Sequence, residues 1–239
     1  MITVYGDSIS VGLVYNESTG RYTLCRQSYL RNISAMGYQI QNRSVIGSTI
    51  DQGLRLFLRD HPKPGDLCLV EFGGNDSDLN WQEVSEHPEI FHDGKNSHLQ
   101  FEHYLTDFIH QIKAFCLIPC LVVPPPIVSA RYFDWVSKGK NADNILRYLG
   151  NKERIHQWHA GYSELINKAA SAEKCGIIDF RSRFLKQGHF QDYICLDGIH
   201  PNEAGHRLMT ECLLEWIESA GSEIHRAFTA ERACTTVSS

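Results

Sequence analysis

No stretch of the 239 residues is long and apolar enough to cross a bilayer. The apolar runs, residues 120–123 among them, fall far short of the roughly 20 residues a spanning helix needs. No Lys/Arg-rich run stands out, the net charge is −5 and the pI is about 6.2. Neither nucleic acid nor a membrane surface is therefore an expected partner. No C-x-x-C pair occurs among the eight cysteines, Cys25, Cys68, Cys116, Cys120, Cys175, Cys195, Cys212 and Cys234. Most lie in apolar stretches and read as reduced, buried thiols. No secretory signal is expected either, since the run from Ile2 reads as a strand with no basic region before it. The expected location is cytoplasmic. The G-x-G-x-x-G fingerprint, the Walker A loop and the H-E-x-x-H zinc motif are all absent.

What is present is ordinary globular composition, 42% apolar and 21% charged, in a chain long enough for one well-buried core. With no repeat, low-complexity tract or linker, a single domain is expected over 1–221. The span 222–239 is thin in apolar residues and reads as a C-terminal tail that frays.

Strand and helix signals alternate. Ile2-Thr3-Val4-Tyr5 reads as a short buried strand. Residues 11–22 read as loop, 24–36 as a helix ended by Gly37, and 38–45 as a second strand. A helix over 50–59 follows Thr49 as N-cap. The run 66–72 (DLCLVEF) reads as a central strand covered on both faces. Residues 77–97 read as loop and 99–115 as an amphipathic helix. The strand over 118–123 ends at Pro124-Pro125-Pro126. Residues 127–151 look irregular and rich in aromatics, and 152–174 look helical. GIIDF at 176–180 is the last strand, and 201–219 reads as a helix with Pro201 at its first position. The pattern predicts an α/β fold with a parallel sheet of five strands between helical layers.

Four short motifs fall at or beyond the carboxyl ends of these strands: Gly6-Asp7-Ser8, Gly47, Gly73-Gly74-Asn75-Asp76, and Asp197-Gly198-Ile199-His200-Pro201. In a parallel sheet those ends share one edge, where such sheets place ligands. Acyl transfer needs a nucleophile, a base, a group that orients the base, and donors for the oxyanion. Ser8 fits the nucleophile, His200 the base, and Asp197 the orienting acid three residues before it. The Ser8 and Gly47 N–H groups and the Asn75 amide fit as donors. Each piece alone has a blander reading: Asp7 or Ser8 as a helix cap, Gly-Gly-Asn-Asp as a turn, His200 as a surface histidine.

Taken together and in this order, the four motifs resemble the signature blocks of the SGNH hydrolase superfamily, the GDSL-type lipases and esterases. The resemblance spans Gly6 to Pro201. The first block reads GDSIS where the family often has GDSL, a packing change only. It implies a three-layer α/β/α sandwich of flavodoxin-like type. It also implies a Ser8–His200–Asp197 triad working without metal or other cofactor, and an oxyanion hole of Ser8, Gly47 and Asn75. The expected reaction is hydrolysis of a small-molecule carboxylic ester through an acyl-enzyme, most simply a short-chain or acetyl ester of a small or carbohydrate alcohol. A lysophospholipase or thioesterase, an O-acyltransferase, and a non-catalytic binding module on the same fold are the alternatives.

Trp81, Phe133 and Trp135, with Tyr132, lie in long connections that overhang the active edge. They are candidates for substrate contact, or else they pack the loops onto the core. His156 and His159, three apart on a predicted helix, have metal-ligand spacing but no evident third ligand. Asp76 and Asp78 read as loop residues rather than ligands, and Asp7 as a hydrogen-bonding residue that holds the Ser8 turn.

Overall fold

The structure, a computed structural model, describes residues 1–60, 62, 64 and 67–235, with side chains described through Ser219. The chain begins with strand β1 (Ile2–Gly6), the single-turn helix α1 (Ser8–Val11) and a hairpin of β2 (Leu13–Asn16) and β3 (Arg21–Leu24). Then come α2 (Tyr29–Ala35), β4 (Ile40–Asn42), α3 (Ile50–Asp60) and β5 (Leu67–Glu71). Helices α4 (Trp81–Glu86) and α5 (His98–Ala114) precede β6 (Ile118–Val123). Helices α6 (Ser129–Val136), α7 (Ala142–Leu149) and α8 (Arg154–Glu173) precede β7 (Gly176–Asp179). The chain continues through α9 (Phe180–Leu185), a 3₁₀ turn (Phe190–Tyr193) and α10 (Glu203–Thr235).

Five strands form one parallel sheet in the order β4-β1-β5-β6-β7. That is the flavodoxin-like order, with the switch point between β1 and β5. Side chains alternate between its faces, as a period of two demands. Tyr5, Cys68, Val70, Leu121 and Val123 pack with Phe57 of α3, Phe108 of α5 and Ile166 of α8. Val4, Leu69, Cys120 and Val122 pack with Ile33 of α2, Phe184 of α9 and Leu213 of α10. Both faces are therefore covered, and the α/β/α expectation is met.

A third apolar cluster lies beyond the carboxyl edge. It joins Trp81 and Val84 of α4, Tyr132, Phe133 and Val136 of α6, Ile145 and Leu149 of α7, and Ile155 of α8. The sequence pattern predicts loops over 77–97 and 127–151; the structure puts three short helices there. Two of the three have caps in the sequence: Asn80 accepts from the Glu83 N–H at α4 and Asn141 from the Asn144 N–H at α7, while α6 starts after Val128 without a side-chain cap. The loop expected at 11–22 is largely the β2–β3 hairpin, antiparallel with Leu13 opposite Leu24. Its four-residue turn is tied by Asn16, which takes the Ser18 hydroxyl and the Thr19 N–H. Pro201 is not a helix start; it makes an antiparallel bridge with Ile194, and α10 begins at Glu203. Helical backbone runs on to Thr235, but the tail expected over 222–239 falls on residues outside the described side chains.

Cysteine burial is less uniform than expected. Cys25, Cys68, Cys120 and Cys195 are buried, Cys175 and Cys212 half-buried, and Cys116 exposed; all seven are free thiols. Cys234 lies outside the described side chains. No helix among the described residues is long and apolar enough to cross a membrane.

Candidate active site

The site is assembled by three strand ends and one turn. β1 delivers Asp7 and Ser8. Asp7 caps α1 by accepting the Ile9 N–H at 2.9 Å, which fixes the turn that presents Ser8. A side chain at Gly6 would run into this turn: a Cβ there would lie 2.8 Å from Ser10 Oγ and 2.9 Å from Glu71 Oε2. β5 delivers Gly73-Gly74-Asn75-Asp76. Asp76, wholly buried, knots that loop to the helical layer by accepting the N–H of Gly73, the N–H of Ile50 and the Asn96 amide. Burial pushes Asp76 up to about 6 despite those three donors.

The turn after the 3₁₀ helix delivers Asp197 and His200. Gly198 has φ +83°, and a Cβ there would sit 2.4 Å from the Tyr132 backbone nitrogen. Only glycine lets this turn dock on α6. Asp197 Oδ1 accepts the N–H groups of Ile199 and His200, each at 3.1 Å. Its Oδ2 meets His200 Nδ1 at 2.6 Å, and His200 Nε2 meets Ser8 Oγ at 2.9 Å. Burial alone would raise the Asp197 pKa. The His200 hydrogen bond and charge, with the two backbone donors, outweigh it and hold the carboxyl below its ordinary value. The result is an ionised acid, an oriented imidazole and a hydroxyl in line. That arrangement can take a proton from Ser8 and return it to a leaving group.

Of the expected donors, Ser8 and Asn75 border the cavity and Gly47 is not among its lining residues. The Ser8 and Gly47 N–H groups find no acceptor among the described residues. Val45 donates its N–H to the Gly6 carbonyl at 3.0 Å, which brings the Gly47 turn to the end of β1. The Asn75 amide donates to Asp7 Oδ2 at 3.0 Å and to the Ser48 carbonyl at 3.2 Å. Ser8, Asn75 and His200 border one cavity of about 480 Å³. Trp81 and Tyr132 line it, and Asp78 holds both by accepting the Trp81 N–H at 2.8 Å and the Tyr132 hydroxyl at 2.6 Å.

Phe133 and Trp135 do not line it. Phe133 is buried beneath α6 with the Lys152 ammonium over its ring. Trp135 packs edge-on against Tyr15 and Tyr22 of the hairpin, and Tyr22 in turn meets His200 at 5.3 Å between rings. His156 and His159 both accept from the Arg181 guanidinium. Burial, with the Arg181 charge, drives His159 down to about 3. A guanidinium occupies the lone pairs a metal would need, and no group of three or more His, Cys, Asp or Glu side chains placed to hold a metal ion occurs among the described residues.

Sequence reasoning missed a buried polar chain behind Ser8. Glu71, at the end of β5 and fully buried, accepts the Ser10 hydroxyl at 2.8 Å. Ser10 also meets the Tyr29 hydroxyl at 2.7 Å, and Tyr29 stacks on buried His206. Glu71 Oε1 has no partner, and Asp7 is its neighbouring carboxyl. Desolvation, with the Asp7 charge added, raises Glu71 well above the ordinary carboxylate range. Burial raises Asp7 as well, but the Ile9 N–H, the His200 charge and the Asn75 amide pull it back, so Glu71 is the more strongly raised of the two and the one that holds the proton. The signal was a lone glutamate in the otherwise apolar 67–72 run.

Glu71→Gln, a neutral isostere, should therefore keep kcat within about threefold, as expected for conserved polar contacts. The sign of its pH effect follows from linkage. A carboxyl raised in the native state binds protons the unfolded state has lost, so wild-type stability falls as pH rises above about 4.3. The Gln variant lacks that slope, and its Tm should gain on wild type with rising pH. A Tm difference flat in pH, or a collapse in kcat, would place the charge on Glu71 instead.

Comparison with known proteins follows the same lines. No curated protein sequence matches the chain. Among solved structures, a lipase/acylhydrolase from Enterococcus faecalis superposes with TM-score 0.63 at 19% identity, over 91% of this chain and 95% of that one. A GDSL-like lipase from Bacteroides thetaiotaomicron gives 0.58 at 19%, over 92% and 88%. An acetyl xylan esterase from Geobacillus stearothermophilus gives 0.60 at 15%, over 90% and 93%. At such identities these likenesses speak for the fold. The sequence itself matches a family model over residues 4–208, and the chain belongs to the GDSL-like lipase/acylhydrolase family.

Proposed function

We propose that the chain hydrolyses a carboxylic ester of a short acyl group on a small or ring-shaped alcohol, with Ser8 as nucleophile. The observation that carries this is the unbroken hydrogen-bonded line from Asp197 through His200 to Ser8, opening onto an aromatic-walled cavity. His200 takes the Ser8 proton as Oγ attacks the carbonyl, and the imidazolium that forms faces the Asp197 carboxylate. The same proton then goes to the departing alcohol. Water repeats the cycle on the acyl-enzyme. Trp81, Tyr132 and Trp158 on the cavity wall suit a flat ring.

The oxyanion hole is the Ser8 and Gly47 N–H groups with the Asn75 amide. Both amide hydrogens are already engaged, so the arriving oxyanion displaces one bond. The charge-assisted bond to Asp7 is the stronger, so the Ser48 carbonyl gives way. Removing one such donor costs about a hundredfold to a thousandfold in kcat. Asn75→Ala should lose that much with KM within a few-fold. A lowered Tm with intact kcat would make Asn75 a turn residue only.

A second reading is favoured by size. A cavity of about 480 Å³ exceeds what an acetyl group needs and could hold a longer acyl chain. p-Nitrophenyl esters from acetate to palmitate, then acetylated oligosaccharides, separate the two. Peak kcat/KM at acetate or butyrate supports the first reading, and a steady rise to long chains the second. Turnover of none overturns both.

A further inference from the structure

Two arginines line the same cavity as Ser8: Arg147 in the last turn of α7 and Arg154 at the first position of α8. Both are exposed, and neither has a carboxylate partner among the described residues. Arg147 follows Asp143 by four residues on one helix. That spacing joins Asp51 to Arg55 and Glu203 to Arg207 in this chain. Arg147 makes no such pair and borders the cavity instead. Arg154 occupies the first turn of α8, where the helix dipole disfavours a cation. Stability alone would not put it there.

The cavity's own carboxylates do not answer these charges. Asp7 is held by Ile9 and Asn75, while Asp78 is held by Trp81, Tyr132 and Lys95. Beside the arginines the rim carries Phe91, 74% exposed, and Tyr148. An apolar wall ending in two unanswered cations matches a ligand with an apolar body and a negative end.

We propose that Arg147 and Arg154 form an anion subsite of this cavity, so that the preferred ester carries a carboxylate, phosphate or sulfate on the part the cavity holds. This rests on the hydrolase reading for the meaning of the ester, but not for the binding itself. The arginines act as a fork for a planar or tetrahedral anion. Being exposed, they give an affinity that falls as salt rises.

Binding decides it, measured calorimetrically on the Ser8→Ala protein so that no probe turns over. Monomethyl esters of adipic, suberic and sebacic acid carry an anion on the acyl side; their dimethyl esters are the neutral controls. 6-Acetoxyhexanoate, against its amide, carries the anion on the alcohol side, and 6-acetoxyhexyl phosphate substitutes a phosphate. At least one anionic probe should bind about tenfold tighter than its neutral control, in line with two partly solvated ion pairs. That preference should shrink in Arg147→Gln and in Arg154→Gln, vanish in the double variant, and weaken at high salt. Equal affinity for every charged and neutral pair overturns the subsite, as does a preference that survives the double variant. Turnover of the same esters by the wild-type chain is read separately. Turnover without charge preference leaves the hydrolase standing and removes the subsite, and charge preference without turnover does the reverse.

Discussion

Ser8→Ala should lower kcat by roughly four to six orders of magnitude while the protein folds as before. The Ser8 side chain makes one hydrogen bond, to His200 at 2.9 Å, on the wall of a cavity that admits water. Removing Oγ takes that bond away without leaving a closed void, so stability should change by no more than about 1 kcal/mol. The same deletion removes the atom that would carry the acyl group. What activity remains is whatever the donors and the cavity give to a direct attack by water. A fluorophosphonate should label the wild-type chain at Ser8 alone and leave the variant unlabelled. The chain has other buried serines with polar partners, among them Ser10 and Ser129, but neither is paired with an oriented histidine. Near-normal kcat in folded Ser8→Ala would end the acyl-enzyme mechanism.

Part of the candidate site was legible in the sequence because Ser8 and Asn75 sit where a strand stops; Asp197 and His200, on a turn after the 3₁₀ helix, stood out only by their own DGIHP motif. A β-branched run followed by glycine and a small polar residue announces both the strand and its exposed end, as at Val4-Tyr5-Gly6-Asp7-Ser8 and Val70-Glu71-Phe72-Gly73-Gly74. The parallel order then brings those ends to one edge. What was not legible depends on contacts between distant segments. The helices α4, α6 and α7 are short, and none can bury a full stripe by itself; they exist because Val84, Val136 and Ile145 close on one another over the sheet edge. Periodicity over such lengths cannot separate helix from loop. The β2–β3 hairpin has alternation only on its Tyr15 and Tyr22 face, and Leu24 remains half exposed. Trp135 and Tyr132 are three residues apart on α6, yet one packs on the hairpin beside His200 and the other on the cavity wall. Which aromatic would meet substrate was a question of helix phase, and an unseen helix has no phase. Glu71 was hidden by the strength of the strand around it, since an apolar run draws attention away from its one carboxyl.

Asp197→Asn should cost about 10⁴ in kcat, a loss close to that of the nucleophile, and the reason lies in where the new amide must point. Asp197 uses one oxygen for two backbone N–H donors and the other for His200 Nδ1. An asparagine has one oxygen to place. Turned toward His200, it would leave its NH₂ facing the N–H groups of Ile199 and His200, two buried donors against two more. Turned toward the backbone, it keeps both of those bonds and sets its NH₂ against Nδ1. The second arrangement satisfies more donors and should prevail. Nδ1 then becomes the acceptor, the ring proton moves to Nε2, and Nε2 can no longer take the Ser8 proton. The fold should survive, because the turn's backbone bonds survive. Asp197→Ala makes the contrast: it leaves both N–H groups unanswered and should lose about 1–3 kcal/mol of stability per buried donor left unpaired. Linkage gives a further mark. Asp197 titrates below its unfolded value, so its charge stabilises the wild type fully above about pH 4 and ceases to do so as pH falls through the native pKa. The Tm gap between wild type and Asp197→Asn should therefore close at acid pH, while the kcat gap persists wherever both proteins are folded. Near-normal kcat in Asp197→Asn with an unshifted Tm would mean that this carboxylate neither sets the tautomer nor faces an imidazolium, and the line from Asp197 to Ser8 would be structural only.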